Sequence, residues 1–345
     1  MRAIVLVGGQ GIRLRPLTWR SPKALVPVLN RPLLEHLLLH LKRHSITRIT
    51  LAMTQPNSEI REAFGKGQAL GIELEYAYED TPLGSGGAIA SVAQGWDEPF
   101  LVANGDIITD LELTAMYAAH RAHGAELSMH LHEVDDPSQF GVAVTAEDGR
   151  ITRFVEKPPA ESAPSNLINA GNWLFEPSIV SELNPTEFNR VEDGLFPSMC
   201  EANRPIYGFS SPSYWRDIGN SEALRLVNLE LVEDAIPGRV PDDTNGVLLG
   251  DGVSIADDAT VPRPMVIGRG TTIGIGAQLR NSVIWDGVTV ERDAQVRDSV
   301  IATGVEIGAG AIVERSVIGH GARIGPGARL TDAQVEPDAA IEAGT

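Results

Sequence analysis

The chain has 345 residues, 43% of them hydrophobic, which is enough for two domains of roughly 150 residues each with at least one large core. Its formal net charge of −18 argues against non-specific binding to nucleic acid, because the average surface repels phosphates. The single cysteine, Cys200, excludes an internal disulfide framework, and the lack of a signal-peptide pattern or a long apolar run predicts no membrane role. We therefore expect a cytoplasmic protein.

The first predicted element is a short buried strand at residues 3–7, which runs directly into a glycine-rich turn. This end of the chain is basic, since residues 1–34 hold six arginines and lysines and no aspartate or glutamate. An acidic protein with one basic segment of this kind suggests a small anionic ligand such as a triphosphate.

The glycine turn has the composition of a phosphate-binding loop. Gly8, Gly9 and Gly11 let the backbone approach phosphate oxygens, and successive N–H groups in such a loop form an anion-binding concavity. The turn lacks the ending of a P-loop and the spacing of a dinucleotide-binding fingerprint. A plain connecting turn is the alternative, but a connector has no need for Arg13 and Lys23 beside exposed amides.

Strands and helices alternate through the next part of the chain. A leucine-rich helix follows the loop, and the further predicted strands lie at 49–53, 72–78 and 100–103, with helices near 58–64 and 86–93. This alternation predicts an α/β fold with a Rossmann-like, mostly parallel sheet. Ligands bind beyond the carboxyl ends of the strands in such sheets, where both the Gly8 loop and the Asn104-Gly105-Asp106 turn are expected.

A helix is predicted from about residue 221 to 233, and a segment rich in proline and glycine ends it and marks a domain boundary. The sequence then becomes periodic. Apolar residues recur every six or five positions, so that one coil has three short faces and 17 residues, which is typical of a hexapeptide-repeat parallel β-helix. We predict a first domain at 1–233, a linker at 234–246 and a β-helix at 247–345. Small side chains are expected at the corners, at Thr271, Ala277, Ala294, Ala311 and Ala328.

Seven motifs follow one another along the first domain. They are Val7-Gly8-Gly9-Gln10-Gly11-Ile12-Arg13-Leu14-Arg15-Pro16-Leu17-Thr18 with Ser21-Pro22-Lys23, Pro82-Leu83-Gly84-Ser85-Gly86-Gly87, Asn104-Gly105-Asp106, Phe140-Gly141-Val142, Glu156-Lys157-Pro158, Asn169-Ala170-Gly171 and Tyr214-Trp215-Arg216-Asp217-Ile218-Gly219. Their order and spacing resemble the nucleoside-diphosphate-sugar pyrophosphorylases, a nucleotidyltransferase family. With its repeat tail the whole chain resembles bacterial mannose-1-phosphate guanylyltransferases most, and the resemblance implies that the β-helix is left-handed.

The resemblance implies transfer of a nucleotidyl group from a nucleoside triphosphate to a sugar-1-phosphate, with release of pyrophosphate. The expected substrates are GTP and mannose-1-phosphate, and the expected product is an NDP-sugar such as GDP-mannose. Positioning and charge neutralisation provide most of the catalysis in such chemistry. By family analogy Arg13, Lys23 and Asp106 are the catalytic residues.

The resemblance also assigns the substrate-binding groups. The implied nucleotide-binding residues are Val7, Gly8, Gly9, Gly11, Arg13, Glu79 and Gly84, and the implied sugar-phosphate-binding residues are Gly141, Glu156, Lys157, Asn169 and Gly171. Mg²⁺ is the expected cofactor, with Asp106 and Asp217 as its ligands. The alternatives are turn or helix-cap aspartates for the metal pair and an exposed ion pair for the Glu-Lys motif. For Gly141, Asn169 and Gly171 the alternative is an ordinary strand-end turn.

Glu79 is the residue that bears on the base. Related thymidylyl and uridylyl enzymes commonly have glutamine at the matching place, whereas guanylyl enzymes have glutamate. A carboxylate can accept the adjacent N1–H and N2–H₂ donors of guanine together, which other bases do not offer. An exposed strand-end glutamate is the alternative. One position departs from the family, because Ile12 stands where threonine is usual and a hydroxyl near the phosphates is missing.

Three other functions compete with this interpretation. A glucose-1-phosphate thymidylyl- or uridylyltransferase is disfavoured by Glu79, and a non-catalytic sugar-nucleotide-sensing subunit is disfavoured by the presence of Lys23 and the two aspartates. An acyltransferase would need a catalytic histidine, and the repeat region offers only His320, in a glycine-flanked turn where a solvated corner is the expected role. We expect the β-helix to serve assembly or regulation, and a homo-oligomer.

Overall fold

The computed structural model describes residues 1–241 and 244–344. Asp242 and Asp243 of the predicted linker, and Thr345 at the end of the predicted β-helix, lie outside the described residues. The chain separates into two compact units, which we call unit 1 (Met1–Gly8 with Leu37–Trp215) and unit 2 (Gly9–His36 with Arg216–Thr345). Across residues 1–241 and 244–344, no helix is both long and apolar enough to cross a membrane.

α-Helices and strands both occur up to residue 232, with four successive strands and no α-helix between residues 127 and 175, and the elements after residue 232 are short strands. The α-helices are α1 (Leu33–Arg43), α2 (Ser58–Phe64), α3 (Gly84–Ala93), α4 (Leu113–His123), α5 (Leu195–Glu201) and α6 (Ser221–Val232). The strands before α6 are β1 (Arg2–Leu6), β2 (Pro27–Val28), β3 (Arg31–Pro32), β4 (Arg48–Met53), β5 (Glu73–Tyr78), β6 (Phe100–Asn104), β7 (Ile107–Thr109), β8 (Leu127–Glu133), β9 (Gly141–Thr145), β10 (Ile151–Glu156), β11 (Leu167–Phe175), β12 (Ile206–Ser210) and β13 (Trp215–Asp217). Short 3₁₀ helices occupy Ile12–Leu14, Leu17–Trp19, Lys23–Leu25, Gln68–Leu70, Ala160–Ser162 and Pro177–Glu182.

The strands after α6 form the repeat region. They are β14 (Val247–Leu249), β15 (Ser254–Ile255), β16 (Met265–Ile267), β17 (Thr272–Ile273), β18 (Gln278–Arg280), β19 (Val283–Ile284), β20 (Thr289–Val290), β21 (Gln295–Arg297), β22 (Val300–Ile301), β23 (Glu306–Ile307), β24 (Ile312–Glu314), β25 (Val317–Ile318), β26 (Arg323–Ile324), β27 (Arg329–Thr331), β28 (Gln334–Val335) and β29 (Ala340–Ile341).

Unit 1 is built on a mixed sheet whose main path runs β10-β9-β11-β6-β1-β4-β5. The strands β6, β1, β4 and β5 are parallel neighbours, as the alternation of strands and helices predicts. The other half is mainly antiparallel, because β11 pairs antiparallel with β6, β8 and β9, while β12 pairs parallel with β8. The α/β class is therefore confirmed, but the sheet is mixed rather than mostly parallel. Fully buried aromatic side chains, among them Phe100, Trp173 and Phe196, fill the core beneath it.

The repeat region of unit 2 forms three parallel sheets, two of six strands and one of four within the described residues. The strands of the first coil pair with strands 18 residues further on, and those of the later coils with strands 17 residues further on, as in the series Ile273, Val290, Ile307, Ile324 and Ile341. The predicted coil length is therefore confirmed. The five predicted corner residues are all fully buried, which explains why only small side chains fit there.

A ladder of serines, which the periodicity does not reveal, joins successive coils of the repeat region. The backbone N–H of Ser299 donates to Ser282 Oγ at 3.1 Å, and Ser316 and Ala333 repeat this bond one coil later each. Each hydroxyl thereby satisfies a buried backbone donor that the strands leave unpaired.

Candidate active site

A cavity of about 270 Å³ opens in unit 1 at the carboxyl ends of β1, β4 and β5. Parallel sheets bind ligands at this edge, because the loops that follow neighbouring strands meet there. Its lining includes Leu6, Gly8, Thr54, Glu79, Gly84 and Phe188. A larger cavity of about 670 Å³ lies along β5 beside Arg61 and Trp96, and none of the predicted site residues lines it. The smaller cavity is therefore the candidate nucleotide site.

Glu79 lies directly after β5 at the wall of this cavity. Its backbone N–H donates to Met53 O at 3.0 Å, and its carboxylate Oε2 accepts the Leu83 N–H at 3.0 Å. Partial burial raises the pKa of Glu79, and the Leu83 N–H opposes that rise. The second hydrogen bond fixes the direction of the carboxylate, so that the side chain is not a freely moving surface glutamate.

The Pro82–Gly87 motif forms the start of α3 and packs against the segment 187–192. Gly84 has a φ of +73°, and a Cβ there would lie 2.4 Å from Asn189 O. A Cβ on Gly86 would lie 2.0 Å from Asn189 Oδ1, so only glycine permits this approach. Ser85 Oγ accepts the Val191 N–H at 3.1 Å and fastens the segment. Phe188, from the same segment, is 67% exposed and lines the nucleotide cavity.

The predicted phosphate loop and the residues that follow it up to Lys23, which together we call the signature loop (residues 7–23), pass from unit 1 into unit 2 at Gly9. In unit 1, the Val7 N–H donates to Ala52 O at 2.8 Å, which continues the sheet pairing up to the glycines. In unit 2, Gly11 has a φ of +62° and precedes the 3₁₀ helix Ile12–Leu14. Thr18 Oγ1 donates to Gly11 O at 2.7 Å, and a Cβ on Gly11 would lie 3.3 Å from Lys23 Cβ.

Arg13 and Asp217 come together in unit 2 around Gly219. A Cβ built on Gly219 would lie 2.7 Å from Asp217 Oδ1 and 3.0 Å from Nη2 of Arg13. The absence of a side chain at Gly219 therefore leaves room for both charged groups. Arg13 is exposed, while Asp217 and Lys23 are half-buried. Two cations and a carboxylate of the predicted site thus belong to this unit.

Asp106 belongs to unit 1 and follows the carboxyl end of β6. β6 pairs parallel with β1 so that Asn104 faces Leu6, and the Gly105 N–H donates to Leu6 O at 3.0 Å. A Cβ on Gly105 would lie 2.9 Å from the same oxygen, so glycine allows this close approach. Within the described ranges, no three His, Cys, Asp or Glu residues are grouped closely enough to hold a metal ion. The pairing of Asp106 with Asp217 on one ion stays a prediction.

The predicted acceptor residues Gly141 and Glu156 are cross-strand partners on β9 and β10. A Cβ on Gly141 would lie 2.8 Å from Glu156 Oε2 and 2.4 Å from the Phe154 ring. Glycine is therefore required for the carboxylate to lie over this strand. Lys157 is exposed, with its Nζ 4.0 Å from Glu156 Oε1.

Arg190 is a functional candidate that the sequence analysis missed. Its Nη2 donates to Glu156 Oε1 at 3.0 Å, and it also pairs with Glu192 and Asp193. In the sequence, Arg190 belongs to a charged stretch outside every motif, and its contact with Glu156 joins residues 34 apart. No sequence pattern indicates it.

Asn169 and Gly171 lie on β11, beside the acceptor strands. Asn169 Oδ1 accepts the Gly171 N–H at 3.1 Å and the Trp173 Nε1–H at 2.7 Å. Gly171 has a φ of +73°, and a Cβ there would lie 2.7 Å from Asn104 Nδ2. The side-chain oxygen Oδ1 of Asn169 is thus used in local hydrogen bonds, so a hydrogen bond to a sugar would come from the side-chain NH₂ group.

Comparisons with known proteins identify the family of the chain. Residues 2–234 match the family model described as Nucleotidyl transferase, and residues 242–330 match the model described as the EIF2B subunit epsilon LbH domain. The chain belongs to the nucleotidyl transferase family. This nucleotidyltransferase therefore combines the predicted catalytic fold with a left-handed β-helix.

Two relatives of this nucleotidyltransferase cover most of its length. The mannose-1-phosphate guanylyltransferase of Mycobacterium tuberculosis is 36% identical over 287 residues, which are 82% of this chain and 79% of that protein. The UTP–glucose-1-phosphate uridylyltransferase of Synechocystis sp. is 32% identical over 322 residues, with 83% of both proteins covered. Among solved structures, HddC from Yersinia pseudotuberculosis complexed with GMP-PN has a TM-score of 0.57 at 24% identity and covers 67% of this chain and 99% of that one, which supports the fold.

Proposed function

We propose that this nucleotidyltransferase transfers the guanylyl group of GTP to mannose-1-phosphate, forming GDP-mannose and releasing pyrophosphate. One observation supports the proposal most. The carboxylate of Glu79 lines the same cavity as Gly8, at the end of β1 where the phosphate loop begins. A residue suited to guanine and the first glycine of the predicted phosphate loop thus line one cavity of unit 1.

Glu79 is the proposed guanine acceptor. Guanine presents N1–H and N2–H₂ side by side, and an ionised carboxylate accepts both with charge-assisted hydrogen bonds. The bond from the Leu83 N–H holds this carboxylate in one orientation before the nucleotide arrives. Preorganisation of this kind reduces the conformational entropy that binding costs. Phe188 offers an exposed ring on the same cavity, against which a base could stack.

The proposed chemical step is a displacement at phosphorus. A phosphate oxygen of mannose-1-phosphate forms a bond to the α-phosphorus of GTP, while the bond from that phosphorus to the oxygen bridging to the β-phosphate breaks. Pyrophosphate leaves with the electron pair. We assign Arg13 and Lys23 to the negative charge on the transferred group, and the amides of Gly8, Gly9 and Gly11 to the triphosphate.

We assign the acceptor to the strands that carry Gly141 and Glu156. In this proposal Glu156 accepts a sugar hydroxyl and Lys157 faces the sugar phosphate. Arg190 neutralises Glu156 through its 3.0 Å hydrogen bond and keeps the carboxylate over Gly141. Gly141 and Gly171 would leave the space that a sugar ring needs.

Mg²⁺ is the proposed cofactor, with Asp106 and Asp217 as its protein ligands. Carboxylate oxygens are the ligands that Mg²⁺ prefers, and the ion takes one or two of them while water and substrate phosphates complete its shell. The chemistry of the donors fits, since both aspartates offer carboxylate oxygens and neither a thiol nor an imidazole is needed. When bound, the ion neutralises charge on phosphate oxygens.

The direct test is pyrophosphate release with Mg²⁺ over a matrix of five nucleoside triphosphates against mannose-, glucose- and other sugar-1-phosphates. We expect GTP with mannose-1-phosphate to give the largest rate. A largest rate with UTP or dTTP and glucose-1-phosphate would support the second candidate, which the relative from Synechocystis favours. A matrix with no activity would favour a regulatory, sugar-nucleotide-sensing subunit.

Lys23→Ala tests the assigned catalytic role. We expect kcat to fall by about 10²- to 10³-fold, the usual loss for one preorganised donor to a transition state. Lys66→Ala is the matched control, because Lys66 lies beside the larger cavity along β5. Near-normal turnover of Lys23→Ala would overturn the assignment.

We also propose that the enzyme works as a cytoplasmic homo-oligomer. Its stacked coils have exposed faces suited to self-association, and its one cysteine, Cys200, suits a reducing compartment. Light scattering coupled to size-exclusion chromatography measures the oligomeric state, and a monomer across the working concentration range would refute this part.

A further inference from the structure

Within unit 2, the far coils of the β-helix contact the signature loop itself. His320 lies in a turn of the repeat region, and its Nε2 lies 3.1 Å from Leu17 O. A carbonyl oxygen only accepts hydrogen bonds, so His320 Nε2 carries the proton and donates it. Leu17 is fully buried and begins the 3₁₀ helix Leu17–Trp19, which lies between Arg13 and Lys23 in the chain. The predicted solvated corner is thus half-buried and bonded to the loop.

A second contact supports the first from the next coil. Asp338 pairs with Arg20 of the loop, and the Asp338 N–H donates to His320 O at 2.9 Å. The His320 ring is also 5.4 Å from the fully buried ring of Trp285. Two hydrogen-bonded residues on adjacent coils therefore contact one short stretch of the loop, residues 17–20.

This stretch is hydrogen-bonded to Gly11, a glycine of the signature loop. Thr18, the residue after Leu17, donates from its hydroxyl to Gly11 O at 2.7 Å. The same Thr18 side chain would lie 3.0 Å from a Cβ on Gly11, so the two residues are in close contact. Fixing the Leu17 carbonyl therefore fixes Thr18, and Thr18 fixes the peptide plane that follows Gly11. That plane carries the Ile12 N–H, so the direction of this amide of the loop, next to Gly11, depends on it.

We propose that His320 is a positioning residue, which holds the triphosphate loop in its binding geometry through Leu17 and Thr18. The proposal rests on the assignment of this loop to the nucleotide. It gives the β-helix a role in substrate binding beyond assembly. It also excludes the acyltransferase function for this histidine, because Nε2 is bonded to the loop rather than presented to a groove.

The test compares His320→Ala with His320→Gln in the full-length enzyme. Loss of the ring removes the donor to Leu17, and we expect the KM for GTP to rise about tenfold, the effect of one hydrogen bond. The KM for mannose-1-phosphate should stay within twofold. Glutamine places an amide N–H near the position of Nε2, so His320→Gln should recover most of the loss. Arg323→Ala, which removes an exposed ion pair with Glu306, is the matched control.

Hydrogen exchange gives a readout that does not need activity. Amides of residues 11–20 should exchange faster in His320→Ala and Asp338→Asn than in wild type, while amides of the serine ladder stay protected. Unchanged exchange in both variants, or an equal rise in both KM values for His320→Ala, would overturn the proposal. If the wild type is inactive on every substrate pair, the proposed function fails, and the exchange result still decides whether His320 holds the loop.

Discussion

The substitution Glu79→Gln should reduce the use of GTP far more than the use of other nucleotides. Glu79 has two carboxylate oxygens, and Oε2 already accepts the Leu83 N–H at 3.0 Å. Glutamine has a single side-chain carbonyl oxygen, which can accept a hydrogen bond either from the Leu83 N–H or from guanine. Its NH₂ group then faces the N–H that is left without an acceptor. An unpaired donor in a partly buried site costs about 1–3 kcal/mol, and the competition for one oxygen favours the upper half of that range. We therefore expect kcat/KM for GTP to fall about 30- to 150-fold.

The assay for Glu79→Gln is the steady-state rate of pyrophosphate release with GTP and with dTTP. Glu73→Gln, a change of the same type at an exposed position of the same strand, is the control and should alter neither rate. Burial raises the pKa of Glu79, so this carboxylate takes up a proton at a higher pH than an ordinary glutamate does. On acidification, the wild-type KM for GTP should therefore begin to rise at that higher pH. This dependence should disappear in Glu79→Gln. A loss that is equal for GTP and dTTP would refute base recognition and leave only a structural role.

Three further changes probe separate parts of the molecule. Arg190→Ala should raise the KM for mannose-1-phosphate about 3- to 20-fold with little effect on that for GTP, because Arg190 holds Glu156, and an equal rise for both substrates would contradict this role. Ile12→Thr should raise kcat/KM for GTP about three- to tenfold by adding one hydroxyl near the phosphates. Ile12 is 58% exposed, and Ile275→Thr, at 64% exposure, is the control that should change nothing. Burial lowers the pKa of His130 to about 3, so the folded protein should lose about 1.4 kcal/mol per pH unit from pH 6.5 downwards as the unfolded state takes up the proton. The free energy of unfolding, measured with urea at pH 7, 6 and 5, should fall less steeply with decreasing pH in His130→Gln than in wild type. An identical dependence on pH in the two proteins would count against a neutral buried ring.

Local patterns were enough to predict the coil of the β-helix. A 17-residue period places Ile273 beside Val290 whatever the rest of the chain does, because each coil packs only on its neighbours. The parallel half of the sheet is predictable for a similar reason, since each strand is followed by a helix that returns the chain. The antiparallel half is not, because β8 and β11 pair across residues 127–175 without a short turn between them.

Some residues of the candidate site could be predicted from local motifs, and others could not. The motif containing Gly141 and the motif containing Glu156 could be predicted separately, and their register as neighbours on β9 and β10 follows only from the sheet. Arg190 and His320 contact residues 34 and 303 positions away, so nothing in their own sequence neighbourhood indicates the roles we propose for them. Their contribution depends on burial and long-range packing, which periodicity and motif spacing do not contain.

One segment links the nucleotide and acceptor parts of unit 1. Segment 187–192 places Phe188 at the nucleotide cavity and Arg190 on Glu156, two residues apart. The segment reaches this position because the start of α3 lacks side chains at Gly84 and Gly86, where a Cβ would meet Asn189. The glycines of the Pro82–Gly87 motif therefore leave the space that this segment occupies. By admitting this segment, they place the residue that holds the Glu156 carboxylate two positions from a residue that lines the Glu79 cavity, so we expect a side chain at Gly86 to disturb both places.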